Sequence, residues 1–187
     1  MQTKNDIITR VQNKVNRNRM NREITNPRTG QRMIILKTGS ETSGKLLSVE
    51  CFSPSSPIRE PEHIHPYQEN IFEILDGTLH FRISGKTITM GRGEVVVIPA
   101  KAPHHFWNES GTEAHYIQKF KPALNIEEFF RAYFRLAAEN KLNKKGKPNL
   151  LRISKLCLKH QHEVRLARPA WLLQKFIFTI FAPFGRL

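Results

Sequence analysis

Ile71-Phe72-Glu73-Ile74-Leu75-Asp76-Gly77-Thr78-Leu79-His80-Phe81-Arg82-Ile83 is the stretch that decides the fold of this chain. β-Branched and aromatic residues fill 71–75, Asp76-Gly77 closes them in a tight turn, and Leu79, Phe81 and Ile83 then alternate with Thr78, His80 and Arg82. A period of two places successive side chains on opposite faces, so each run reads as a strand with one face turned to a core. Downstream, Ser84-Gly85-Lys86 and Gly91-Arg92-Gly93 are turn signals, and 95–98 and 114–120 are further strand runs. Upstream, Leu47, Val49 and Cys51 alternate with Ser48 and Glu50, and 33–37 reads as a first strand. Short strands punctuated by glycine turns at this spacing predict a mainly β protein, an antiparallel barrel or sandwich.

Two runs inside this region carry chemistry. His63-Ile64-His65-Pro66-Tyr67-Gln68-Glu69 holds two histidines two apart, which share one face of an extended segment. Pro103-His104-His105-Phe106-Trp107-Asn108 places another histidine just past the 95–98 strand and the Pro99 turn. Two imidazoles, a third from a neighbouring strand and a carboxylate suit a first-row metal ion. His105 is expected to point away from His104, as strand neighbours do. The remaining histidines (His80, His115, His160 and His162) are expected at the surface or in ordinary packing.

The two runs resemble the motifs of the cupin superfamily of small antiparallel β-barrels. The first family motif, G-x5-H-x-H-x3-4-E-x6-G, falls on His63, His65 and Gly77, with Pro57 where the opening glycine stands in the family. The second, G-x5-P-x-G-x2-H-x3-N, falls on Gly93, Pro99, His104 and Asn108, with Lys101 at the middle glycine. The resemblance covers roughly 33–120 and implies a jelly-roll (double-stranded β-helix) barrel. It also implies a divalent ion such as iron, manganese, nickel or zinc, held by His63, His65 and His104, or else a pocket that has lost its ion. The fourth ligand is open. Counting on from His65 gives Glu69, as ligand or catalytic base, whereas counting back from Gly77 gives Asn70. A slip of one residue reverses the face, so the two cannot both point inward without a bulge. Tyr67, Asn70, Phe72, Phe106 and Gln118 are candidate pocket residues.

Of the 187 residues, 39% are hydrophobic, enough for one domain with appendages. The net charge of +14 is unevenly spread. Residues 1–37 carry nine Lys/Arg against two Asp/Glu, residues 38–120 seven against ten, and residues 121–187 fourteen against four. The barrel is therefore slightly acidic between two basic flanks, which divides the chain into 1–32, 33–120 and 121–187. Cys51 and Cys157 lie far apart, as expected of free thiols in a reducing compartment. Met1-Gln2-Thr3-Lys4-Asn5-Asp6 has no apolar core of a secretory signal, and no apolar run approaches the ~20 residues of a spanning helix. A cytoplasmic protein, at most peripheral to a membrane, is expected.

In the N-terminal flank Ile7, Ile8, Val11 and Val15 recur at helical spacing. Beyond Pro122 the period changes to helical. Asn125 is a candidate N-cap, Ile126, Phe129, Phe130, Tyr133, Phe134, Leu136 and Ala137 make a wide apolar face, and 150–166 is a second helical pattern. Pro169 starts a third, where Trp171, Leu172, Leu173, Phe176, Ile177, Ile180 and Phe181 leave a narrow polar stripe.

Three functions follow as expectations. The resemblance implies a metal-dependent enzyme of dioxygenase or isomerase type acting on a small organic molecule. A metal-free cupin that binds a small ligand without turnover is the second. In the third, the barrel is a scaffold whose basic helices meet an anionic membrane surface or a partner. A homodimer is expected, since apolar faces of the tail need covering. Nucleic acid is disfavoured, because no recognition motif accompanies the charge.

Overall fold

The computed structural model describes residues 22–187, so the helical spacing from Ile7 to Val15 lies outside the described residues. Among the described residues, eleven strands form two sheets that face each other. One has the order β1 (Glu23–Thr25), β2 (Arg32–Lys37), β3 (Leu47–Ser53), β10 (Ala114–Lys121), β5 (Glu69–Asp76) and β8 (Val95–Ile98). The other has the order β11 (Arg165–Leu166), β4 (His63–Ile64), β9 (His104–Trp107), β6 (Thr78–Ile83) and β7 (Lys86–Gly91). Every pairing is antiparallel. Helices α1 (Ile126–Ala138), α2 (Leu150–Lys159) and α3 (Trp171–Phe181) follow.

The alternation expected for the deciding stretch is present. Asn70, Phe72 and Ile74 of β5 point inward while Glu69, Ile71 and Glu73 do not, and Leu79 and Phe81 of β6 meet them from the other sheet. Phe72 contacts Phe81, Phe106 and Tyr116 at ring-centroid distances of 4.9, 4.9 and 5.6 Å. The Asp76-Gly77 turn, however, does not join paired strands. β5 bonds to β10 and β8, β6 to β7 and β9, so Gly77 is the corner at which the chain leaves one sheet for the other. Its φ is +74°, and a Cβ there would stand 2.5 Å from the Glu113 carbonyl oxygen, so both the conformation and the close approach demand glycine. The hairpin is the next turn, where Ser84 and Gly85, both with positive φ, join β6 to β7.

The helical tail differs from its sequence reading in two places. Asn125 does not cap α1 with its side chain; instead its backbone N–H donates to Glu163 Oε1 over 3.2 Å. The 150–166 pattern is a helix only to Lys159, after which the chain straightens into β11 and joins the second sheet beside β4. A strand of the tail thus completes the barrel, because β4 alone would present an open edge.

Candidate metal centre

His63 and His104 are direct cross-strand partners on β4 and β9. His65 lies two residues on from His63 and so returns to the same face. The three rings converge, with centroids 4.5 Å apart for His63 and His104, 5.1 Å for His63 and His65, and 5.2 Å for His65 and His104. One ligand atom from each lies within 4.8 Å of the others, so the cluster could hold a metal ion.

Each ring is oriented through its Nδ1. That atom donates to the Pro61 carbonyl in His63 (3.0 Å), to the Glu163 carbonyl in His65 (2.7 Å) and to the Ala102 carbonyl in His104 (2.9 Å). A proton held on Nδ1 leaves the lone pair on Nε2, the arrangement a metal-binding imidazole needs. His104 Nε2 is buried and has no hydrogen-bond partner. Burial, before any other cause, lowers the basicity of all three rings: His63 falls to about 4, His104 to about 3, and His65 well below the usual histidine range. Repulsion from neighbouring imidazoles adds to this, from His63 and His104 on His65, from His63 and His105 on His104, and from His105 on His63, while the carbonyl partners oppose it. At neutral pH the three are therefore uncharged donors.

Asn70, not Glu69, faces this cluster. Its Nδ2 lies 3.4 Å from His65 Nε2 and its Oδ1 accepts from Gln118 Nε2 over 3.1 Å, all of them buried. Glu69 is half-buried on the opposite face of β5, paired across the strand with Lys121. The register shift in the pairing with β10 falls between Ile74 and Asp76, so Glu69 to Ile74 alternate without interruption and Glu69 and Asn70 face opposite ways. Lys101, at the family's middle glycine, keeps a positive φ of 69° and donates its N–H to the His65 carbonyl over 2.8 Å.

Above the histidines lies a cavity of about 280 Å³. Phe106, Gln118 and Phe120 of the barrel line its floor; Phe129, Phe130 and Tyr133 of α1, Leu156 and Cys157 of α2, and Val164 and Leu166 of the tail form its roof. Of the candidate pocket residues, Phe106 and Gln118 are in this wall. Phe72 lies below it in the core, and Tyr67 is exposed and stacked on His162. His105 points away from the cluster, beside Trp107. His160 is buried against Phe129 rather than at the surface.

Glu60 is the carboxylate that sequence reasoning missed. It lines the cavity, accepts the Phe106 N–H and stands 3.9 Å from His63 Nδ1. Its enclosing walls push the carboxyl up to about 8, although 35% of the side chain still faces open space, where entering water moderates the rise. It lies in the irregular loop before β4, where no periodicity announces which way a side chain points. Cys51 and Cys157 are both free and buried, Cys157 with a thiol pushed up to about 12 by burial.

The family model of the cupin domain matches residues 49–118. Among solved structures, similar folds include a sugar phosphate isomerase of the cupin superfamily from Silicibacter pomeroyi. It has 17% identity over 49% of this chain and 59% of that one, with a TM-score of 0.43. KdgF from a Halomonas species has 16% identity over 52% and 84%, with a TM-score of 0.46. An RmlC-like cupin from Shewanella frigidimarina has 17% identity over 58% and 90%, with a TM-score of 0.48. The chain thus spans 59% of the first of these, under two thirds of its length. No curated protein matches it. The barrel that carries His63, His65 and His104 matches the cupin domain over residues 49–118, and this chain adds to it a helical C-terminal extension.

Proposed function

We propose that this cupin holds a divalent first-row metal ion on Nε2 of His63, His65 and His104, and acts on a small, largely apolar organic molecule in the cavity above them. The observation that carries this reading is His104 Nε2, a buried lone pair without a partner, beside two more imidazoles whose Nδ1 protons are all engaged elsewhere. Burying a polar atom unpaired is unfavourable, and a cation is the partner that three neutral imidazoles fit. Asn70 is the fourth donor. Gln118 Oε1 is also buried without a partner. Turning over both amides would pair that oxygen with Asn70 Nδ2 and present Asn70 Oδ1 to the cluster, which makes the site a neutral one.

A bound divalent ion would supply Lewis-acid polarisation of a carbonyl-type oxygen, chemistry common to isomerase- and dioxygenase-like reactions. The chain's own residues select and seat the ligand. Phe106, Phe129 and Phe130 offer flat apolar walls, Gln118 and Glu60 offer polar groups, and the helical roof excludes water.

Elemental mass spectrometry on untagged protein tests the reading. About one ion per chain is expected, lost in His104→Ala. Absence of metal after exposure to iron, manganese, nickel and zinc would refute the metal centre and leave a ligand-binding pocket.

A further inference from the structure

The third helix of the tail is built the wrong way round for a helix of a soluble domain. Its buried positions are Gln174 and Phe178. Its exposed positions include Leu172, Leu173, Phe176 and Ile180, at 80, 51, 67 and 49% exposure, and Phe184 just beyond at 72%. At 100° per residue, Leu172, Phe176, Ile180 and Leu173 fall within one outward arc, flanked by Thr179 and Lys175. A polar side chain, Gln174, is turned inward while large apolar ones face out. Gln174 Nε2 donates to the Leu166 carbonyl over 2.9 Å and also to Pro169 O, which ties α3 to the end of β11. The outward arc is therefore fixed by a buried hydrogen-bonded anchor rather than left over from loose packing. A contiguous apolar patch of this kind marks an interaction surface, unlike apolar residues scattered singly.

Charge says what the partner is. Residues 164–187 hold Arg165, Arg168, Lys175 and Arg186 and no Asp or Glu. Arg168 and Arg186 are exposed at the two ends of α3, Lys175 is exposed beside the patch, and Arg165 lies over the Trp171 ring at 4.4 Å. Large apolar side chains ringed by cations, with a tryptophan at one end, match the boundary between anionic headgroups and acyl chains. Pairing with a second copy would bring these cations together with no carboxylate in the segment to offset them. Among the described residues no helix is long and apolar enough to cross a membrane, so the helix would lie in the surface plane. We propose that the outward face of α3, with Arg168, Lys175 and Arg186, docks this protein on an anionic membrane surface. The proposal is independent of the metal centre.

Co-sedimentation of the full chain with vesicles tests it, using phosphatidylcholine with phosphatidylglycerol as about a third of the lipid. Binding is expected at low salt and weakening in high salt. Leu172→Ser with Phe176→Ser should reduce partitioning at least tenfold, and Lys175→Glu by fivefold or more. All three positions are exposed, so an unchanged circular dichroism spectrum and melting temperature will show that the fold is intact. No partitioning of the wild type at low salt overturns the proposal, as does equal binding of the double variant. A wild type that sediments as a dimer and does not bind vesicles, with a monomeric double variant, also overturns it and assigns the face to a second copy. Equal binding to pure phosphatidylcholine, unaffected by Lys175→Glu, overturns the anionic preference.

Discussion

The barrel and its tail build one cavity by opposite means. The barrel contributes directional chemistry: three imidazoles, each aimed by strand geometry and a backbone carbonyl, and an amide held by the Gln118 side chain. The tail contributes bulk, namely the rings of α1, the apolar face of α2 and one carbonyl oxygen, that of Glu163. Strand geometry fixes a side chain to within a face and therefore suits ligation, whereas helices packed by area suit enclosure. Within the tail the contrast repeats, since α1 and α2 turn their apolar faces in while α3 turns its own out.

The sharpest way to break the division is to remove a ligand. His104→Ala should lower metal affinity by at least 100-fold in calorimetric titration, while the fold survives because the Nδ1 bond it loses is to a nearby loop carbonyl. Removing enclosure should act on stability instead. Leu156→Ala, at a fully buried cavity wall, should cost about 2–5 kcal/mol in urea denaturation, whereas Leu172→Ala on the exposed arc should stay within about 0.5 kcal/mol. Similar losses at the two sites would erase the distinction between α2 and α3.

Asn70→Asp probes the neutral slot. With a carboxylate there, metal affinity should rise about tenfold, while the metal-free protein should melt lower because a buried charge has replaced an amide. Acid is a further probe of the metal-free protein. Burial holds His63 down at about 4 and His104 at about 3 in the folded chain, below the 6.5 of a free imidazole, so the unfolded chain binds protons first as pH falls. Their share of stability is complete above about pH 6.5 and is lost as pH falls through about 4 and 3, readable from melting temperatures. The smallest effect is expected at Lys101→Gly, which relieves a positive φ held by a side-chain-bearing residue and should raise stability by up to about 1 kcal/mol.

Much of this was legible in the sequence, for reasons that differ by residue. The strands from Met33 to Phe120 announce themselves by alternation, and His63, His65 and His104 by the H-x-H spacing and the strand that precedes His104. The choice between Glu69 and Asn70 could not be made from spacing, because it turns on a single step of register, and a shift in the pairing with β10 falls between Asn70 and the sheet corner at Gly77. That corner was hidden, since Asp-Gly has the same local chemistry whether the next strand pairs with the last or crosses to the other sheet. Glu60 sits in a loop without period. β11 is only Arg165–Leu166, too short to show alternation, and its pairing with Ile64 and His63 is set by the helices on either side.

That short pairing has a thermodynamic consequence. The Glu163 carbonyl that fixes the tautomer of His65 is two residues before Arg165, so it is in place only while the tail lies along β4. With the proposed metal bound, seating of the tail and ligation at the histidines would be two binding events on one protein, and linkage would make their effects reciprocal. Anything that steadies the tail would tighten that metal by some factor, and the metal would steady the tail by the same factor.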